Sequence, residues 1–178
     1  MFSHNSQYED ALSFSRFDSN HFLSPQSAHQ FELEGLVWQS AEHYYQYSKF
    51  NDASSQITRA YAAKVQVAPT VEQAYKLGNT WWRRKRSDFK AIRKMLMTRA
   101  LYSKAIQNTD IKTALLATGD QLILENSAYE HYWGIGRDQR GHNHMGLIWM
   151  DIRAKLQAQE LAELKNVSAS SPISKAAG

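Results

Sequence analysis

The chain has 178 residues, of which 43% are hydrophobic and 21% charged, with 8 Gly and 3 Pro, so its composition excludes collagen-like, low-complexity and wholly disordered proteins. A globular chain of this length buries roughly 70% of its unfolded surface, which is enough for one core without metal or disulfide cross-links. The sequence contains no Cys, which excludes thiol catalysis and Cys-ligated zinc, and its net charge of +4 suits a phosphorylated or nucleic-acid partner without establishing one.

The two ends of the chain differ in composition from its middle. Residues 1–10 are polar, and residues 158–178 run into a segment rich in Ser and Ala. We therefore expect a flexible N-terminus over 1–10, one domain over 11–157, and a frayed helix end followed by a disordered tail over 158–178. No apolar run approaches the roughly 20 residues of a membrane span and no leader is visible, so the sequence predicts a cytoplasmic protein without membrane contact.

The hydrophobic patterning predicts a hairpin followed mainly by helices. Alternation from Phe31 to Trp38, with a turn at Gly35, is typical of a β-hairpin, and helical periodicity begins at Ser40, a candidate N-cap. The remaining predicted elements are, in order, helices over 40–50, 54–67, 70–78, 88–106 and 110–117, a strand over 121–124, a loop over 126–141 and a last helix from about 143. The predicted fold class is α+β, a predominantly helical single domain with a small β-hairpin or sheet.

The predicted helix that begins at Ser40 carries a carboxylate, an amide and an amine. Glu42, Gln46 and Lys49 lie on one helix face because they are spaced by four and three residues, with Glu42 and Lys49 separated by ~10 Å along the axis. A carboxylate and an amine therefore share one wall, and a functional interpretation of the pair needs further residues. The alternative is that both are solvated ends of an amphipathic helix with a weak charge interaction.

A glycine-rich loop before the last helix has the composition of a ligand pocket. Its glycines permit close backbone approach, and Trp133 offers a flat face on which a base could stack. Asn143 is a candidate cap of the last helix, where free N–H groups could bind a phosphate. His142 and His144 have no third ligand at metal-binding spacing, so we predict no metal, and no βαβ unit surrounds the loop to make it a dinucleotide fingerprint.

The densest charge run is Arg83–Arg86, which follows Trp81 and Trp82 and precedes further cations on the next predicted helix. Basic residues interleaved with aromatics can bind a sugar-phosphate chain, whereas a solvated helix entrance has the same composition. The sequence contains neither a nucleophile-elbow motif nor a phosphate-binding P-loop motif. This disfavours the common hydrolases and the nucleoside triphosphatases.

These motifs, taken in order, resemble one family, the NADAR or YbiA-like domain. The resemblance covers about Phe14 to Leu156, and its most specific part is the block over 40–50 with Glu42 and Lys49. The other matching blocks are Ser19, Asn20, Phe22, Ser24 and Pro25; Gly35 and Trp38; Met97 and Arg99 to Leu101; Leu115 to Asp120 with Leu122 and Glu125; and Tyr132, Trp133, Gly134, Gly136, Gly141, Asn143, Gly146, Met150, Ile152 and Arg153.

The resemblance implies hydrolysis of an N-glycosidic bond between ribose and a base, with no cofactor and no metal. It assigns catalysis to Glu42, as base or acid, and to Lys49, which either binds phosphate or forms a Schiff base with an opened ribose aldehyde. Trp133 would stack the base, while Asn20, Asn143 and the loop backbone would hold ribose or phosphate oxygens. The full expected substrate-binding set is Asn20, Tyr45, Gln46, Phe89, Glu130, Trp133, Gly134, Gly136 and Asn143.

Three positions depart from the family pattern. Glu130 replaces an Asp three residues before the loop Trp, Phe89 stands where glycosidase relatives can carry a Trp, and His21 is inserted between Asn20 and Phe22. The expected partner is a small ribosylated base, such as a phosphorylated ribosylaminopyrimidine of the riboflavin pathway, or ADP-ribosylated guanine, including guanine in DNA. The alternative function is a non-catalytic module that binds ADP-ribose or nucleic acid.

Overall fold

The computed structural model describes residues 8–51 and 55–170. Helices predominate in these ranges, and the strands are short, which confirms the predicted α+β class. The elements, in order, are β1 (Leu12–Phe14), β2 (Phe31–Leu33), β3 (Leu36–Trp38), α1 (Ala41–Ser48), α2 (Gln56–Gln66), α3 (Val71–Gly78), α4 (Phe89–Gln107), α5 (Thr109–Ala117), β4 (Ile123–Glu125) and α6 (His144–Ser170). Within the described ranges, every helix is too short or too polar to cross a bilayer.

The predicted hairpin is confirmed as the antiparallel pair β2–β3. Phe31 pairs with Trp38 and Leu33 with Leu36, which leaves Glu34 and Gly35 as a two-residue turn. Both turn residues have positive φ, 58° and 74°, and the twist of such a turn matches that of the flanking strands.

A second sheet joins β1 to β4 in parallel, with Leu12 opposite Ile123 and Phe14 opposite Glu125. Strand β1 is absent from the elements that the sequence predicts, and β4 begins two residues later than the predicted strand over 121–124. A three-residue strand carries too little periodicity to be recognised, and its pairing depends on a partner more than 100 residues away. The pairing directs the chain after Phe14 to the end of β4, where Glu125 lies.

The helix boundaries follow the local capping signals. The Ser40 side chain accepts a hydrogen bond from the His43 backbone N–H at 3.3 Å, and Thr70 accepts one from Gln73 at 3.3 Å. The last helix is longer than expected, since α6 continues past Ala158 to Ser170. The rest of the predicted tail, 171–178, and residues 1–7 of the predicted flexible terminus lie outside the described residues.

Helix α1 occupies the centre of the molecule and packs against α2, α3 and α4. Seven of its eight residues are buried. Its Tyr44 and Tyr45 belong to the larger hydrophobic core, which also contains Trp133 and Trp149, whereas Phe50, just beyond the helix, belongs to a smaller core under α2 and α3. The polar side chains of α1 are therefore held inside the protein and must find partners there.

Candidate active site

An open cavity of about 580 Å³ lies between α1, the end of α3, the start of α4 and the glycine-rich loop. Its volume falls in the range of small-molecule sites. Six of the residues expected from the sequence line it: Tyr45, Gln46, Lys49, Phe89, Glu130 and Trp133.

Glu42 is fully buried beside this cavity rather than exposed to it. Its Oε2 accepts a hydrogen bond from Arg16 at 3.2 Å, and its Oε1 accepts one from the Gln46 side chain. Arg16 and Gln46 both line the cavity, so they form a floor that separates the Glu42 carboxylate from it. The interpretation of Glu42 and Lys49 as solvated helix ends is wrong, since their exposed fractions are 0% and 4%.

Arg16 connects the carboxylates of the site, and the sequence analysis missed it. Its Nη2 contacts Glu42 and its Nη1 contacts Glu130, each at 3.2 Å, while its backbone N–H donates to Glu125 at 2.9 Å. Burial works against the charge of Arg16, but Glu42 and then Glu130 hold its pKa above the ordinary value. No local motif marks Arg16, because its partners come from positions 26 and 114 residues away.

Lys49 reaches the cavity from the C-terminal end of α1. Its Nζ donates hydrogen bonds to the Gly78 carbonyl at 3.2 Å and to Asn79 Oδ1 at 2.9 Å, and no carboxylate contacts it among the described residues. Burial, and then the charge of Lys85, lower the pKa of Lys49 to about 7. A large share of this amine is therefore uncharged at neutral pH, which is the form that attacks carbonyl carbon.

Aromatic rings form one wall of the cavity. Tyr45 contacts the Trp133 ring edge-on at 5.6 Å between centroids and the Phe89 ring at 5.4 Å. Trp133 is only 3% exposed, with the Arg16 guanidinium 5.7 Å from its ring, so the indole is part of the packed wall rather than a projecting platform.

The structure does not bring the remaining expected residues to the cavity. Asn20 is exposed in a turn where its backbone N–H donates to Asp18. Gly134 and Gly136 are buried behind the wall, where a Cβ on Gly134 would collide with the Glu125 carboxylate and Gly136 has a φ of 67° against His131. Their role in the fold is close backbone packing.

Asn143 directly precedes α6, as expected, and its carbonyl accepts the Leu147 N–H at 3.0 Å, but its side-chain amide bonds to β4 rather than capping the helix. Its Oδ1 accepts from the Glu125 backbone N–H at 3.0 Å, and its Nδ2 donates to the Ile123 carbonyl at 2.9 Å. The amide thus completes the hydrogen bonding of β4 at the start of α6.

The cavity is strongly basic. In the described part of the chain, Glu130 is the one carboxylate of its lining, against five cationic side chains, Arg16, Lys85, Arg86, Lys90 and Arg93, and the Lys49 amine. Lys85 and Arg86 come from the basic run of the sequence, so part of that run faces the site rather than only solvent. A lining of this kind suits an anionic ligand such as a phosphate ester.

The chain is similar to known proteins over most of its length. The NADAR domain model matches residues 1–157. An N-glycosidase of Nostoc punctiforme is 33% identical over 131 residues, covering 74% of this chain and 82% of that protein. A riboflavin biosynthesis protein of Vibrio vulnificus is 36% identical over 150 residues, covering 84% of this chain but 39% of that protein.

The fold has a solved counterpart. The NMR structure of the Escherichia coli protein YbiA matches with a TM-score of 0.73 at 26% identity, covering 85% of this chain and 88% of that one. Fold and relatives together support an enzyme of the N-glycosidase class. The chain belongs to the NADAR domain family.

Proposed function

We propose that the protein hydrolyses the bond between ribose and a nitrogenous base in a phosphorylated riboside. The observation that carries the proposal is the bridge of Arg16 between Glu42 and Glu130 at the floor of a basic cavity. Glycoside hydrolysis through a cation-like sugar centre commonly uses two carboxylates, and here one guanidinium holds two of them.

The lining suggests how such a substrate binds. Lys85, Lys90 and Arg93 offer charged donors for the phosphate, which places the sugar deeper, towards the floor. The base then packs against the aromatic wall of Tyr45 and Phe89. This arrangement brings the C1′–N bond close to Glu130, the one carboxylate of the described residues that the cavity exposes.

The reaction breaks the C1′–N bond and adds water to C1′. In our proposal Glu130 accepts a proton from the attacking water and offsets positive charge on the sugar, while the proton that the departing base requires comes from solvent or a cationic side chain. Glu42 acts as the key buried carboxylate by holding Arg16 and Gln46 in place. Lys49 supplies an amine that can capture the ribose aldehyde as a Schiff base, releasing one water.

We favour a small metabolite as substrate, in the class of phosphorylated ribosylaminopyrimidines. A cavity of about 580 Å³ accommodates a mononucleotide-sized molecule, and one phosphate needs only one or two of the cations present. The similarity to a riboflavin biosynthesis protein supports the same class.

A second candidate substrate is ADP-ribosylated guanine carried on a nucleic acid. One observation favours it: Trp81 and Trp82, which precede Arg83–Arg86, are 92% and 58% exposed, and exposed indoles beside cations are the composition that stacks bases of a single strand.

The two candidates differ in a measurable way. The full chain is incubated with a ribosylaminopyrimidine 5′-phosphate and with an oligonucleotide bearing ADP-ribosylated guanine, and products are quantified by mass spectrometry. Between 50 and 200 mM salt, KM for a single strand held through six phosphates should rise roughly 300-fold, whereas a small riboside phosphate, which has no condensed counterions to release, should show a far smaller rise.

Release of free base from the riboside supports the proposal. Release only from the oligonucleotide selects the second candidate. Binding of ribose 5-phosphate or ADP-ribose without any bond cleavage contradicts both and identifies a non-catalytic binding module.

A further inference from the structure

Lys104 is a fully buried cation that lies outside the cavity lining. It extends from α4 with an exposed fraction of 0%, and its Nζ donates to the carbonyls of Phe22 at 2.6 Å and Ser24 at 2.9 Å and to Ser27 Oγ. No carboxylate contacts this ammonium within the described residues. Three oxygens of one segment therefore converge on a single amine, which matches the three N–H donors of its protonated form.

The segment that Lys104 holds, residues 22–27, has direct links to the site. The Pro25 carbonyl accepts the backbone N–H of Glu42 at 2.8 Å, and the Ser24 hydroxyl donates to the Arg16 carbonyl at 2.7 Å. The same segment thus touches the backbone of both partners of the buried Glu42–Arg16 pair, at the points where α1 begins and where the chain leaves β1.

We propose that Lys104 is a positioning residue of the active site. Its three hydrogen bonds fix segment 22–27, and this segment fixes the position of Glu42 relative to Arg16. The inference rests on the proposed function for its catalytic consequence. Its structural consequence, the fixed contact between Pro25 and Glu42, stands independently of any reaction.

The surroundings of Lys104 argue for this specific role. A lysine buried only to fill space would leave the charge unmatched, and burial lowers the pKa of Lys104 to about 7. The cost of burial is offset by the three hydrogen bonds that the amine donates, one of them to the Ser24 carbonyl, which also accepts the Ser27 backbone N–H at 3.2 Å. Trp149 also holds the segment, donating to the Leu23 carbonyl at 2.8 Å, and Lys104 bonds both of its ends, the Phe22 carbonyl and Ser27 Oγ.

The absence of Cys from the sequence permits a matched experiment. A Lys104→Cys variant of the full chain has one thiol, which is alkylated in denaturant and refolded. The thiolate displaces bromide from bromoethylamine, which restores an amine at the same reach, or from bromopropane, which gives an apolar side chain with the same number of heavy atoms. A Lys104→Met variant made in cells provides a second apolar form that needs no refolding.

Two readouts are compared between the amine and apolar forms. Amide hydrogen exchange of Glu42, relative to amides of α6, reports the contact to Pro25 directly. Steady-state kinetics report the catalytic consequence. We expect the apolar forms to exchange the Glu42 amide at least 10-fold faster and to lose at least 10-fold in kcat, with KM changed less than 3-fold because the phosphate-binding cations lie on other segments. The variant treated with bromoethylamine should recover both the exchange rate of the Glu42 amide and the kcat of the parent protein.

Equal exchange of the Glu42 amide in the two forms would overturn the proposal, and so would global unfolding of both apolar forms, which would make Lys104 a general stabilising residue. If the parent protein cleaves no riboside, the proposed function fails while the exchange measurement still decides the role of Lys104.

Discussion

The guanidinium of Arg16 lies between two carboxylates that come from α1 and from the glycine-rich loop. Both Arg16 and Glu42 are almost completely withdrawn from water, so each depends on the other for compensation of its charge. Removing one member of such a buried pair should therefore change the free energy of unfolding differently from removing both members.

We expect Arg16→Met to lower the free energy of unfolding by about 3–5 kcal/mol, because it leaves the Glu42 carboxylate buried without a cation. The double variant Arg16→Met/Glu42→Gln should recover at least about 2 kcal/mol of that loss, since it removes the uncompensated charge. Urea denaturation followed by circular dichroism measures both. A double variant no more stable than Arg16→Met would show that the pair is not coupled.

Lys49 provides a second test at the same scale. Its depressed pKa predicts an imine with the aldehyde of ribose 5-phosphate, which borohydride would reduce to a stable adduct. Peptide mass spectrometry should find the added mass on Lys49, and a Lys49→Arg variant should lose it. Labelling that is spread over surface lysines, with Lys49 unmodified, would exclude the Schiff-base role.

The residue-level predictions from sequence succeed where one helix carries the signal. Spacing along α1 predicts Glu42, Gln46 and Lys49 on one face, and Gln46 and Lys49 line the cavity with the neighbouring Tyr45, whereas Glu42 is buried behind Arg16 and Gln46. The expectation for Asn143 fails because a polar side chain beside a helix start is equally able to bond a neighbouring strand, and only the position of β4 decides between the two.

At the scale of elements, the site depends on the parallel pair β1–β4 and on the helix that follows it. Glu125 ends β4, accepts from the Arg16 backbone N–H and packs against Gly134. Asn143 fixes this strand to the start of α6 with two hydrogen bonds, and it does so with a φ of 49°, a conformation that Asn tolerates better than most residues.

Asn143→Ala should therefore lower the free energy of unfolding by about 2–4 kcal/mol, because it leaves a buried donor and a buried acceptor of β4 unsatisfied and adds strain at positive φ. Gly119→Ala is the matched control, since it places Cβ at a φ of 55° with no atom within 4 Å and should cost only about 1 kcal/mol. Comparable losses in the two variants, measured by urea denaturation, would show that strain rather than hydrogen bonding dominates at Asn143.

The hairpin and the helices were predictable because their signals are local. Caps at Ser40 and Thr70 and the Glu34–Gly35 turn lie within a few residues of the elements that they define. Strand β1 was not predictable in this way, because a strand of three residues is stabilised by its pairing with β4 rather than by a local signal.

For the whole molecule, two lysines with pKa values near 7 predict how stability depends on pH. Lys49 and Lys104 are both buried, while in the unfolded chain each has an ordinary pKa near 10.4. Between pH 7 and 9 the unfolded state therefore binds more protons than the folded state, so stability rises with pH.

Each lysine should add about 2 kcal/mol to the free energy of unfolding between pH 7 and 9. Urea denaturation at the two pH values measures the rise, and Lys49→Met should reduce it by about half while leaving the share of Lys104. A stability that falls over this interval in the parent protein would contradict folded-state pKa values near 7 for these two amines.

The fold as a whole follows from composition and pattern, whereas the site needs the assembled molecule. A cysteine-free, moderately basic chain with helical periodicity indicates one mostly helical domain, as observed. The floor of the cavity joins Arg16, Glu42 and Glu130, which lie far apart in sequence, and no local pattern predicts that these three side chains meet.

The most direct test of the account compares the parent protein with Glu130→Gln and Glu42→Gln in hydrolysis of a ribosylaminopyrimidine 5′-phosphate, with binding of ribose 5-phosphate as the control for an intact cavity. The account predicts that both variants bind ribose 5-phosphate within about 3-fold of the parent and lose at least 100-fold in kcat, a change of about 2.7 kcal/mol in the barrier. Full turnover in both variants, on a substrate that the parent cleaves, would contradict the assignment of this cavity as the place of hydrolysis.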